Sequence, residues 1–106
     1  MGLPELENND SFNTVLKNAG KSLVVIDFYA DWCGPCKRLA PSLEKLAAQK
    51  TTVRFYKVNV DINEETAREQ NIEAMPTILF FKDGKKIHQV VGADFAKIDN
   101  AVAKFA

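Results

Sequence analysis

The chain has 106 residues, 46% hydrophobic and 26% charged, which suits an ordinary globular protein folded as one domain over residues 1–106. Fourteen basic residues balance fourteen acidic ones, leaving no excess charge to hold a phosphate backbone, so nucleic acid is excluded as an expected partner. The longest apolar run is far too short to span a bilayer, and no basic n-region with an apolar stretch opens the chain, so neither membrane insertion nor secretion is expected.

After a short segment near Leu3 to Leu6, Asn9 or Asp10 is placed to cap a helix that carries Phe12, Val15 and Leu16 on one face and closes at Gly20. Leu23 to Tyr29 is nearly all apolar, the pattern of a strand covered on both faces. A helix is predicted from about Gly34 to Gln49, with Pro41 removing one N–H from its ladder. Val53 to Val60 reads as a second central strand, followed by a helix capped near Asn63 and ended near Asn71. Thr77 to Lys82 and Lys86 to Val91 flank Asp83-Gly84, a pair suited to a tight hairpin. A last helix presents Phe95, Ile98, Val102 and Phe105 inward. Elements that alternate βαβαβ and end in ββα predict an α/β fold, a central mixed sheet of four to five strands flanked by about four helices.

The chemistry is concentrated in the only two cysteines, in Trp32-Cys33-Gly34-Pro35-Cys36, directly after the first strand and at the start of the second helix. Side chains at i and i+3 of a helix lie roughly 5 to 6 Å apart, and slight tightening reaches disulfide distance, so the pair can open and close with little refolding. Free N–H groups and the positive dipole end at a helix start stabilise a thiolate, the reactive form of cysteine. Cys36 extends the apolar stripe of Leu39, Leu43 and Leu46 and is expected to face the core, whereas Cys33 lies beyond its edge and is expected near water. An exposed, activated thiol attacks and a buried neighbour resolves the mixed disulfide, which makes Cys33 the nucleophile and Cys36 the resolving thiol. Activation alone is a modest lever. Bringing a thiol pKa from about 8.5 to neutrality raises its thiolate fraction about fifteenfold, lost basicity takes back about fivefold, and substrate positioning must supply the rest.

Two rival uses of the cysteines fit less well. Zinc would need two more ligands, and His88, the only histidine, sits on an expected edge strand where a solvated side chain is the simpler reading. A structural disulfide closing so short a loop removes little unfolded-chain entropy. A third reading, a binding module whose thiols are incidental, is separated from catalysis by replacing Cys33.

The residues Asp27-Phe28-Tyr29-Ala30-Asp31-Trp32-Cys33-Gly34-Pro35-Cys36-Lys37, then Val60-Asp61, Met75-Pro76-Thr77, Phe81-Lys82-Asp83-Gly84 and Gly92, make the chain resemble the thioredoxin family over essentially its whole length. The resemblance implies that family's fold and the reduction of protein disulfides, with no bound cofactor beyond the redox-active Cys33–Cys36 pair. Electrons would come from a thioredoxin reductase. Clients would include peroxiredoxins, ribonucleotide reductase and methionine sulfoxide reductases, and the protein would work as a cytoplasmic monomer. The uncharged Gly34-Pro35 pair independently favours a reducing dithiol, since a histidine there would make the disulfide more oxidising.

Further positions are singled out by the strand pattern and by the same likeness. Asp27, a carboxylate inside an apolar strand, would have its pKa raised by burial and exchange a proton with Cys36; the alternative is a sheet-edge residue. Lys57 matches the family's lysine and would act as counter-charge, the alternative being a solvated strand residue. Met75-Pro76 would be cis, turning Met75 backbone groups toward an extended substrate. Trp32, Gly34, Pro35, Met75, Pro76, Gly92 and Ala93 would form an apolar docking rim, unless Gly92 merely ends a strand. Tyr29, where many relatives carry tryptophan, and Lys37-Arg38 depart mildly from the family pattern.

Overall fold

In the computed structural model, which describes residues 2–106, helix α1 spans Asn9–Asn18 and is capped by Asn8, one residue before the first expected cap and two before the second. Ser11 decides the register. Asn8 Oδ1 accepts the Ser11 N–H at 2.8 Å while the Ser11 hydroxyl accepts the Asn8 N–H at 3.3 Å, a reciprocal capping box that Asn9 could not close because its third neighbour is Phe12.

The remaining elements fall in the expected order: β1 Val24–Tyr29, α2 Gly34–Gln49, β2 Arg54–Asn59, α3 Glu64–Glu69, β3 Thr77–Lys82, β4 Lys85–Val91 and α4 Phe95–Phe105. Helix α2 runs through Pro41, which lies on its exposed side. Asn71, just past α3, and both Asp83 and Gly84 of the hairpin take positive φ (58°, 53° and 78°), the left-handed geometry that stops a helix and matches hairpin twist. Among the described residues, no helix is long and apolar enough to cross a membrane.

The sheet order is β2-β1-β3-β4, with β1 and β2 parallel and β3 antiparallel to both of its neighbours. Period-two alternation sorts the strand side chains between two helical layers. Leu23, Val25, Phe55, Ile78 and Phe80 pack with Leu39, Leu43, Ile98 and Val102 of α2 and α4. Val24, Ile26, Phe28, Val58, Leu79 and Phe81 pack on the other face with Leu6 and Phe12. Ile26, Phe28, Ile78, Leu79 and Phe80 are each 0% exposed. At roughly 2 kcal/mol apiece, their burial outweighs the cost of one ionisable group placed among them. His88 is exposed on β4, its ring 5.4 Å from Phe80 and 5.3 Å from Phe105, consistent with a solvent-facing edge position.

Residues 4–6 add a short pairing to the open side of β2. The Lys57 N–H donates to the Pro4 carbonyl and the Leu6 N–H to the Lys57 carbonyl, both at 2.9 Å, so that Glu5 stands opposite Lys57 in a parallel bridge.

Candidate active site

Helix α2 begins where β1 delivers the chain, and its first turn holds both cysteines. Cys33 is the N-cap, with extended φ and ψ of −89° and 108°, and its sulfur accepts the Cys36 N–H at 3.1 Å. One of the helix's unpaired N–H donors is thereby aimed at Cys33 Sγ. Pro35 sits in the first turn, where its missing N–H costs nothing to the ladder. The two cysteines are joined as a disulfide, their Cα atoms 5.3 Å apart.

The expectation that Cys33 lies near water is corrected. Cys33 is only 4% exposed and Cys36 3%, and both pack with Ala30 and the partly buried Tyr29, Val60 and Met75. The helical stripe misplaced Cys33 because an N-cap residue does not have helical φ and ψ. Its side chain turns back over the helix end, where the bond to Cys36 holds it.

Asp27 occupies the middle strand of the sheet, in register with Lys57 on β2 and Ile78 on β3, so the sheet-edge alternative does not hold. Alternation with Val25 turns its side chain toward α2. It is 5% exposed, and its Oδ1 has no hydrogen-bond partner among the described residues. A cavity of about 120 Å³ is lined by Asp27, Tyr29, Cys36, Lys37 and Lys57, which places the carboxyl, the second cysteine and the lysine around one space. Burial pushes the Asp27 carboxyl from its ordinary 3.8 up to about 7, against the lowering pull of Lys57 and with a smaller push from Glu5. Lys57 is half-buried, and its ammonium lies 5.4 Å from the centre of the Tyr29 ring.

The Met75-Pro76 bond is cis. Met75 packs on the cysteine pair, and the Pro76 carbonyl accepts the Gly92 N–H at 2.8 Å, joining the start of β3 to the end of β4 beside the disulfide. Pro76 is buried beneath the surface because it leads straight into a central strand, so it is not part of an exposed rim. Gly34 is half-buried, and Pro35 and Ala93 are exposed. Gly92 directly follows the last residue of β4 and has φ of +97°, a backbone geometry that favours glycine. Gly92→Ala should cost about 1 to 2 kcal/mol through the backbone alone, since a Cβ there meets nothing within 4 Å. Denaturant unfolding checks this, and a loss under about 0.5 kcal/mol would mean that the loop relaxes freely.

Trp32 is 67% exposed, and its indole N–H donates to Asp61 Oδ2 at 2.9 Å. Asp61 is anchored by Asn59, whose Oδ1 accepts the Asp61 N–H at 2.9 Å and whose amide donates to Asp31 Oδ2 at 3.3 Å. Ile62, next in sequence, leaves a large apolar side chain 68% exposed. Sequence reasoning assigned no role to Asn59, Asp61 or Ile62. It also missed Glu5, whose carboxylate accepts the Tyr29 hydroxyl with one oxygen and the Asn59 N–H at 2.9 Å with the other. Only the Val60-Asp61 pair of the family pattern, just past the end of β2, offered any signal in the sequence. Among the described residues, no group of three or more His, Cys, Asp or Glu is placed to hold a metal ion.

Comparison with known proteins bears on this geometry. The thioredoxin family model matches residues 4–104. Thioredoxin-2 of Saccharomyces cerevisiae is 42% identical over 99 residues, covering 93% of this chain and 94% of that protein. The structure of Fasciola hepatica thioredoxin superposes with a TM-score of 0.96 at 36% identity, covering 98% of this chain and all of that one. A structure from work on thiol resolution in yeast mitochondrial 1-Cys peroxiredoxin via glutathione/thioredoxin systems superposes with a TM-score of 0.90, also at 36% identity, over 96% of this chain and 94% of that one. A cysteine pair closed at the head of α2, on a fold shared with these relatives from end to end, means that the chain belongs to the thioredoxin family of thiol–disulfide oxidoreductases.

Proposed function

We propose that this chain, acting as a single domain, reduces disulfides in other proteins through its Cys33-Gly34-Pro35-Cys36 dithiol. In the reduced form the Cys33 thiolate attacks one sulfur of the client disulfide, and the other client sulfur leaves as a thiolate and takes up a proton. Cys36 loses its proton and attacks Cys33 Sγ, which closes the intramolecular disulfide and releases the second client thiol. Two electrons have passed to the client. The observation that carries this reading is the Cys36 N–H pointing at Cys33 Sγ at the head of a sixteen-residue helix, a donor that favours negative charge on that sulfur.

Asp27 is the base for the second step. A carboxyl with a pKa of about 7 is near half ionised at neutral pH, suited to accept the Cys36 proton and return it, and the shared cavity supplies the route. Lys57 stabilises the ionised form. Trp32, Gly34, Pro35, Met75, Gly92 and Ala93 form the client-docking surface around the disulfide, with Pro76 supporting it from below. The oxidised protein is returned to the dithiol by a thioredoxin reductase, and no bound cofactor takes part. Peroxiredoxins are one client class we propose, supported by the peroxiredoxin system from which one structural neighbour comes; ribonucleotide reductase and methionine sulfoxide reductases are others. The setting we propose is the cytoplasm, with the protein working as a monomer.

Cys36→Ser tests the scheme. Without the resolving thiol, Cys33 should hold clients as covalent mixed disulfides that survive denaturation and dissolve on adding a small thiol. Failure to accumulate any such adduct from cell extract would contradict the assigned order of attack.

A further inference from the structure

The amino-terminal segment places the Glu5 carboxylate against Tyr29, a residue that lines the Asp27 cavity. Glu5 stands opposite Lys57 in the bridge on the edge of β2, and its two oxygens accept the Tyr29 hydroxyl and the Asn59 N–H. Tyr29 and Lys57, its two neighbours there, both line the cavity that reaches Asp27 and Cys36. Burial, and after it the bond to Glu5, hold the Tyr29 phenol far above its ordinary pKa, so the hydroxyl remains a donor and the Glu5 oxygen the acceptor. The same Tyr29 ring lies under the Lys57 ammonium at 5.4 Å.

We propose that Glu5 is a positioning residue for disulfide exchange: clamped by Tyr29 and Asn59, its carboxylate holds a fixed negative charge beside the Asp27 cavity and keeps the ring on which the Lys57 ammonium rests. The proposal builds on the reading of Asp27 as the proton acceptor for Cys36. Glu5 itself touches neither the cysteines nor a client. It acts through the proton affinity of Asp27, adding to burial and opposing Lys57, so that the carboxyl is not held ionised by the lysine. A fixed charge roughly 5 to 10 Å away across a partly buried edge changes a neighbour's pKa by about half a unit or more.

The other charged or titratable groups around Asp27 are Lys57 from β2, Asp31 beyond the end of β1, and Cys36 and Lys37 from α2, all of which line the cavity. Glu44 of α2 stands near the Lys57 ammonium. A Cβ on Gly2 would meet Lys57 Nζ at 2.8 Å and Glu44 Oε2 at 3.8 Å. From β3, the residue paired with Asp27 is the uncharged Ile78. Among the described residues, Glu5 is the one of these carboxylates fixed by two hydrogen bonds, one of them to a cavity-lining side chain.

The experiment is a carbon-13 NMR titration of the Asp27 carboxyl in the oxidised 106-residue chain, compared with Glu5→Gln and Glu5→Asp. Glutamine keeps the size and one acceptor oxygen but loses the charge, so the Asp27 midpoint should fall by roughly half a unit, raising its ionised fraction at pH 7 from about a half to about three quarters. Aspartate keeps the charge and should restore most of the wild-type midpoint. An unchanged midpoint in Glu5→Gln, or equal falls in both variants, overturns the proposal, the second result because it would show a purely structural role. A wild-type Asp27 that titrates near 4 instead overturns the reading of Asp27 on which the proposal rests, and the two failures are thereby distinguished.

Discussion

Cys33→Ser should reduce disulfide-reductase turnover to the uncatalysed background, a fall of at least about a thousandfold, while the fold survives. A serine hydroxyl at neutral pH is almost wholly protonated and cannot form the mixed disulfide, so no alternative route passes electrons to a client. The fold should survive because serine is itself a favoured N-cap and can accept the Cys36 N–H that Cys33 Sγ accepts now. Losing the bridge costs stability relative to the oxidised protein by about 2 kcal/mol, the chain-entropy value for so short a loop, and nothing relative to the reduced protein. Turnover of a protein disulfide with a chemical or enzymatic reductant, alongside thermal unfolding, measures both effects. Undiminished biological function in this variant would instead identify a binding module.

Asp27→Asn should slow the resolving step roughly 100-fold near neutral pH and flatten its pH profile around 7, the low end of what a positioned acid–base group contributes. It should also stabilise the folded protein at neutral pH. In the wild type the folded state holds a proton on Asp27 from 3.8 up to about 7 that the unfolded chain has already released. Stability therefore falls as pH rises through that window, because the native state binds more protons there than the unfolded one. At about 1.4 kcal/mol per pH unit, roughly three units put the loss on the order of 4 kcal/mol by pH 7. The asparagine of the variant has no charge to bury, so the stability curves of the two proteins should converge near pH 4 and separate as pH rises. Parallel curves from pH 4 to 8 would show that Asp27 is solvated in the folded state.

These two experiments address residues that differ in how visible they were. The cysteine pair announces itself, since two thiols three apart at a strand-to-helix junction have few uses. Asp27 is conspicuous as the one charge in an apolar strand, but whether that strand lies at the edge or in the centre depends on pairings with residues 54–59 and 77–81. Pattern alone left that open. The exposure of Cys33 was misjudged for a definable reason: helical spacing was applied to an N-cap residue whose dihedrals are not helical. Glu5 carried no local signal at all, because its partners Tyr29 and Asn59 lie 24 and 54 residues away.

Element order, the two-faced burial of the strands, the hairpin at Asp83-Gly84 and the redox motif were all determined by the sequence itself, because they rest on local periodicity, turn chemistry and nearest-neighbour spacing. The space around Asp27 was decided only in three dimensions. A carboxyl, a lysine, a cysteine and the Glu5–Tyr29 clamp are brought together by parallel pairing of β1 with β2 and by the amino-terminal segment closing on the sheet edge. Proton affinity is set by desolvation and by charges across that space, and neither quantity exists until the chain has folded.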